Sequence, residues 1–109
     1  MKAEALMRLN GDAATPEAVN LVNEVRARSF APNDPDAKYT TGTLTMDELL
    51  NERGREFAYE MFRREDLLRF GKFNEPWWEK EASDVHYNIF PIPFDIITAN
   101  PALKQNPGY

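Results

Sequence analysis

The chain has no cysteine, a single histidine and only five glycines in 109 residues. Without cysteine there is no disulfide framework and no thiolate metal site, though this leaves the redox compartment open. The one histidine, His86, has no second histidine or carboxylate ligand at regular spacing, so it reads as a satisfied structural residue. No apolar run approaches the ~18 residues of a membrane-spanning helix, and no signal-peptide core is present. A phosphate-binding loop, a dinucleotide glycine fingerprint and zinc-type spacing are all missing, so no cofactor and no metal are expected. Positive charge is also short. Thirteen Lys and Arg face eighteen Asp and Glu, a net charge of -5, which argues against nucleic acid or an anionic membrane as partner.

What is present is an ordinary globular composition, 42% hydrophobic and 28% charged, in a chain of one domain or less. The start reads as helical from its first residue with no cap, which predicts that the chain begins inside a helix of something longer. The fold expected is mainly α: a helical hairpin over 1–30, a loop over 31–44, a long helix over 45–71 and an irregular tail over 72–109. In the hairpin, Ala5, Leu6 and Leu9 form the apolar side of the first helix, and Asn10-Gly11 stops it. Thr15 caps the second helix with Pro16 at its first position. Ala18, Val22 and Val25, widened by Leu21, are its apolar face, and Arg26 and Arg28 fall largely opposite. The spacing resembles one tetratricopeptide unit. Pro32, Asn33, Asp34, Pro35, Asp36 and Gly42 make 31–43 a loop.

The long helix organises the rest. Thr45 and Glu48 fit a capping box, Leu44 and Leu49 a hydrophobic staple, and Gly71 the left-handed residue past the end. Such a helix is about 38 Å long. Its apolar set is too broad for one stripe, so two packed sides are expected, with Gly54 at a close crossing. Glu56 and Glu60 lie four apart, a spacing open to glycosidase acid–base chemistry. Flanking arginines make a salt-bridged face the favoured reading. Arg53, Glu56, Glu60, Arg63, Asp66 and Arg69 are expected to be a partly buried, mutually paired structural network, with Glu60 on Arg63 or Arg64 and Arg63 on Asp66.

In the tail, Phe73, Trp77, Trp78, Tyr87, Phe90, Phe94 and Tyr109 alternate with Pro76, Pro91, Pro93, Pro101 and Pro107. Pro91 and Pro93 exclude a helix through that stretch. Residues 95–99 fit one helical turn. Trp77 and Trp78 are the ligand-binding candidates, as a sugar-stacking platform, although packing against the loop or core is favoured for them.

The pieces MKAEALMRLNG, VNEVRARS, LLNERGREFAYEMFRREDLLRFGKF, HYNIFPIP and NPALKQNPGY occur here in that order. Together they resemble the C-terminal portion of the SusD/RagB family of outer-membrane nutrient-binding lipoproteins from Bacteroidetes-type bacteria. The most specific stretch runs from Glu52 to Gly71. The chain departs at Met61, where the family often has glycine. The resemblance implies a tetratricopeptide-like helical scaffold and a non-catalytic protein. It also implies binding of oligosaccharides or similar nutrients at the cell surface, for delivery to a SusC-like TonB-dependent transporter. Lipid anchoring would lie in an N-terminal segment outside this chain. The resemblance carries no binding residue onto these positions. The competing readings are a tetratricopeptide-type protein–protein interaction module and, on the glutamate pair, a glycosidase.

Overall fold

The computed structural model describes residues 1–31 and 33–109. Pro32, named above among the loop breakers, lies outside the described residues. The fold is mainly helical, as the sequence predicts, with α1 (Lys2–Leu9), α2 (Pro16–Arg26), α3 (Met46–Glu56), α4 (Arg63–Arg69) and α5 (Phe94–Ala99). Short 3-10 turns occur at Pro35–Ala37 and Val85–Asn88, and among the described residues there is no β-strand beyond one isolated bridge. The chain divides into two compact units, 1–63 and 64–109.

In the first unit α1 and α2 form the expected hairpin. Thr15 Oγ1 accepts the Ala18 amide at 3.1 Å, and Gly11 and Asp12 turn the chain in left-handed conformations. The buried face of α1 is not Ala5, Leu6 and Leu9. Leu9 is 88% exposed, and Ala3 and Met7 are the buried apolar pair, together with Glu4. Five apolar residues on a short helix fit two overlapping faces, and the buried one carries the small Ala3 beside Met7. Ala18, Val19, Val22, Leu44, Leu49 and Leu50 complete this core. Leu44 and Leu49 are both buried, as a staple requires. Thr45 caps α3 by accepting the Glu48 amide at 3.1 Å. The reciprocal half of the capping box is replaced: the Glu48 carboxylate takes the Tyr39 hydroxyl at 2.8 Å.

The long helix over 45–71 is two helices. α3 ends at Glu56, and Tyr59 and Met61 take positive φ of 68° and 64°, which no α-helix tolerates. Residues 55–70 contain no glycine or proline, so local propensity does not stop the helix. Tertiary contacts do. Arg63 folds back along α3 and donates to the Leu50 carbonyl at 2.8 Å. A Cβ at Gly54 would lie 2.9 Å from the Arg63 guanidinium, so the glycine makes room for it. Phe57 and Phe62 close the turn edge to face, with centroids 5.4 Å apart. The glycine does mark a close approach, but of a side chain and not of a second helix.

In the second unit α4 ends as the sequence predicts. Gly71 has φ 72°, and the Lys72 amide returns to the Leu67 carbonyl at 2.8 Å, which satisfies an end carbonyl. The expected helical turn at 95–99 is α5, one residue longer at its start. The extended stretch before it is pinned by hydrogen bonds, described next.

Candidate functional site

The tryptophan candidates sit on a braced loop. At its base the Ser83 amide donates to the Asn74 carbonyl at 3.1 Å, and Asn74 Nδ2 donates to the Asp84 carbonyl at 2.9 Å. At its tip Trp77 and Lys80 exchange backbone hydrogen bonds of 3.0 and 2.9 Å, with Glu79 left-handed between them at φ 60°. The Lys80 ammonium donates to the carbonyls of Glu75 and Glu81 and to Ser83 Oγ, and lies 4.3 Å over the Trp77 ring. Trp77 therefore takes part in bracing the loop, while its side chain remains 48% exposed. Trp78 does not: it is 85% exposed at the tip.

The FPIP and QNPGY stretches, far apart in sequence, interlock. Gln105 mimics a backbone strand, accepting from the Ile92 amide and donating to its carbonyl, each at 2.8 Å. Asn106 Nδ2 donates to the Phe90 carbonyl at 2.7 Å, and the Tyr109 hydroxyl donates to the Ile89 carbonyl at 2.8 Å. His86 is the structural residue expected. Its Nδ1 is 2.8 Å from Asp84 Oδ1, and its ring packs on Tyr87 and edge-on to Tyr109. Gly108 has to be glycine here, since a Cβ would come within 2.6 Å of the His86 Cβ at a φ of 95°. Hydrogen bonds from the His86 amide and then its ring hold the Asp84 carboxyl below the usual range. Arg64, one of the two arginines open to Glu60, donates to the Tyr87 and Asn88 carbonyls at 2.9 and 3.2 Å and stacks over Phe90 at 4.1 Å.

The first unit has a polar hub that the sequence reading did not assemble. Arg26, placed opposite the apolar face above, is buried. Its guanidinium lies 4.4 Å from the ring centres of both Phe30 and Tyr39 and bonds Glu52 and the carbonyls of Ala37 and Asp36. The Asn23 amide brackets the Tyr39 backbone, donating at 2.9 Å and accepting at 2.8 Å. The Tyr39 hydroxyl donates to Glu48 and lies 3.1 Å from Glu52, and Arg55 donates to it at 3.1 Å. Burial, followed by these carboxylates, pushes the Tyr39 phenol up to about 12. The available signal was Glu52, the first acidic residue of the family-specific stretch. One partner, Arg55, lies three residues on in the same helix, but Arg26 and Tyr39 lie 26 and 13 residues upstream, beyond any helical spacing.

The break in the long helix gives some members of the expected ion-pair set other partners. Glu56 pairs with Arg28, two residues past the end of α2, Arg63 takes the Leu50 carbonyl, and Glu60 is exposed in the turn. Asp66 pairs with Arg69 at 2.7 Å and is only 2% exposed, and the Arg53 guanidinium lies 5.1 Å from the Phe57 ring centre. Glu56 and Glu60 do not share a helix face, because α3 ends at Glu56. A groove of about 290 Å³ in the first unit is lined by Ala3, Leu21, Val22, Val25, Leu49 and Phe57, with Glu52, Arg53 and Glu56 at its edge. Its apolar walls suit apolar side chains better than hydroxyl-rich sugars. Among the described residues no acidic or histidine cluster is arranged to hold a metal, and no helix is long and apolar enough to cross a membrane.

A helical hairpin leading into further short helices, followed by a tail locked through FPIP and QNPGY, is a mainly helical, tetratricopeptide-like scaffold. The chain belongs to the SusD family, which it matches over residues 1–109. It is 35% identical to the starch-binding protein SusD of Bacteroides thetaiotaomicron, over 99% of this chain and 19% of that protein. It is 30% identical to the SusD-like protein P25 of Formosa agariphila, over 100% of this chain and 23% of that protein. The chain thus spans about a fifth of the length of these curated relatives.

Proposed function

We propose that this chain is the C-terminal part of a protein that binds nutrient oligosaccharides at the bacterial outer membrane without cleaving them. The observation that carries this reading is the family match along the whole chain, with a starch-binding protein among the relatives. The separation of Glu56 from Glu60 supports the non-catalytic half, because acid–base hydrolysis needs two carboxyl groups facing one bond. On the same reading the parent is lipid-anchored through an upstream segment and hands its ligand to a SusC-like TonB-dependent transporter. The residues described here serve as scaffold, and Trp77 and Trp78 are the ligand-contact candidates on this chain. The test uses the intact parent. It should retain soluble starch or another glycan in affinity electrophoresis, release no reducing ends on prolonged incubation, and co-purify with a TonB-dependent transporter from membranes. Release of reducing sugar by the pure parent overturns the non-enzymatic reading, and failure to bind any glycan overturns the whole.

The apolar groove across α1, α2 and α3 favours a second reading, a protein-interaction module that seats an amphipathic helix. The upstream sequence separates the two. A lipid-attachment cysteine supports the first, and tandem 34-residue repeats without one support the second.

A further inference from the structure

We propose that Trp78 is a stacking platform for a neutral pyranose chain, and that Glu79 and Glu81 beside it turn away anionic glycans. This deepens the glycan-binding reading and rests on it.

The argument starts from how the loop is built. An exposed indole on a mobile loop would lose its freedom on binding, and that entropy would offset the stacking gain. Here the backbone's share of that freedom is already lost. Backbone bonds close the tip between Trp77 and Lys80, bonds from Asn74 close the base, and the Lys80 ammonium ties three oxygens of the loop together. Eleven residues are thus organised so that one indole stands 85% exposed at the turn. The neighbouring Trp77 has a different task, carrying the Lys80 ammonium on its ring. A flat, exposed ring on a braced backbone matches the C–H face of a pyranose, which offers apolar area without needing a buried hydrogen-bond partner.

Charge then selects among glycans. Glu79 and Glu81 flank the tip and are exposed. The one cation between them, Lys80, has its three N–H donors directed to loop oxygens, so it is not available to a carboxylate or sulfate on a ligand. A uronate or sulfated sugar seated on Trp78 would come near the exposed Glu79 and Glu81, with the donors of the intervening Lys80 already taken.

The experiment uses the intact parent on an array of neutral, uronate-containing and sulfated oligosaccharides, with Trp78→Ala, Trp78→Phe and Glu79→Gln/Glu81→Gln variants. Neutral glycans should be held. Trp78→Ala should weaken that binding about tenfold, and Trp78→Phe should keep most of it. The double glutamine variant should leave neutral binding unchanged and raise binding of uronate-containing counterparts about threefold at low salt. The proposal is overturned if Trp78→Ala binds like the wild type, if anionic glycans are preferred, or if Trp78→Ala lowers the melting temperature while binding is untouched. If the wild type binds glycans but ignores Trp78, only this inference falls. If it binds none, the nutrient reading falls first.

Discussion

Met61 shows how much one side chain can carry. The backbone here has φ 64°, where glycine rests freely and a residue with a Cβ is strained. Met61 is also 93% exposed, so its side chain repays little of that strain by packing. Met61→Gly is expected to raise stability by about 1 kcal/mol, after allowing for the extra freedom glycine has when unfolded. Urea denaturation checks this, and a loss of stability would contradict the strain. Tyr39 acts through its hydroxyl. Its raised pKa stabilises the fold fully below about pH 10, the ordinary tyrosine value, and the contribution is lost as pH rises toward the folded value of about 12. Tyr39→Phe is expected to cost about 1 kcal/mol at pH 7. Between pH 9 and pH 12 the difference from the wild type should shrink, as followed by denaturant midpoints.

Elements are fixed by different means. α2 and α3 begin where their caps say, because an N-cap is a contact across three residues and is written locally. α4 ends at a glycine for the same reason. The end of α3 is written nowhere nearby. It depends on Arg63 reaching back to Leu50 and on the space above Gly54, contacts that appear only once the chain has folded on itself. Charge partners follow the same logic. Asp66 is buried with Arg69 and Arg63 is an exposed residue, so two substitutions in one helix should differ sharply. Asp66→Ala is expected to cost about 3 kcal/mol and Arg63→Ala about 1 kcal/mol, read from thermal melts. Equal shifts would show that burial does not separate them.

At the scale of the whole molecule, the two units are each held by polar clamps as much as by apolar packing. Arg26 between Phe30 and Tyr39 does this in the first, and Arg64, Gln105, Asn106 and Tyr109 in the second. A core this small gains from such clamps, since they fix loops that apolar area alone would leave free. It also places the binding question on the surface. The Trp78 loop offers an exposed ring on a braced backbone, and the glycan and Trp78 experiments above are the measurements that belong to this scale.

The sequence by itself determined what depends on near neighbours and on composition. That includes the mainly helical class, the caps, the hairpin, the left-handed Gly71, the turn at α5 and, through ordered motifs, the family. Only the tertiary structure decided which face of α1 is buried, where the long helical stretch breaks, that Arg26 lies inside, and that Trp77 braces while Trp78 faces water. The physical reason is one of range. Caps and turns are satisfied within four residues of themselves, whereas a buried guanidinium or a folded-back arginine finds its acceptors ten or more residues away.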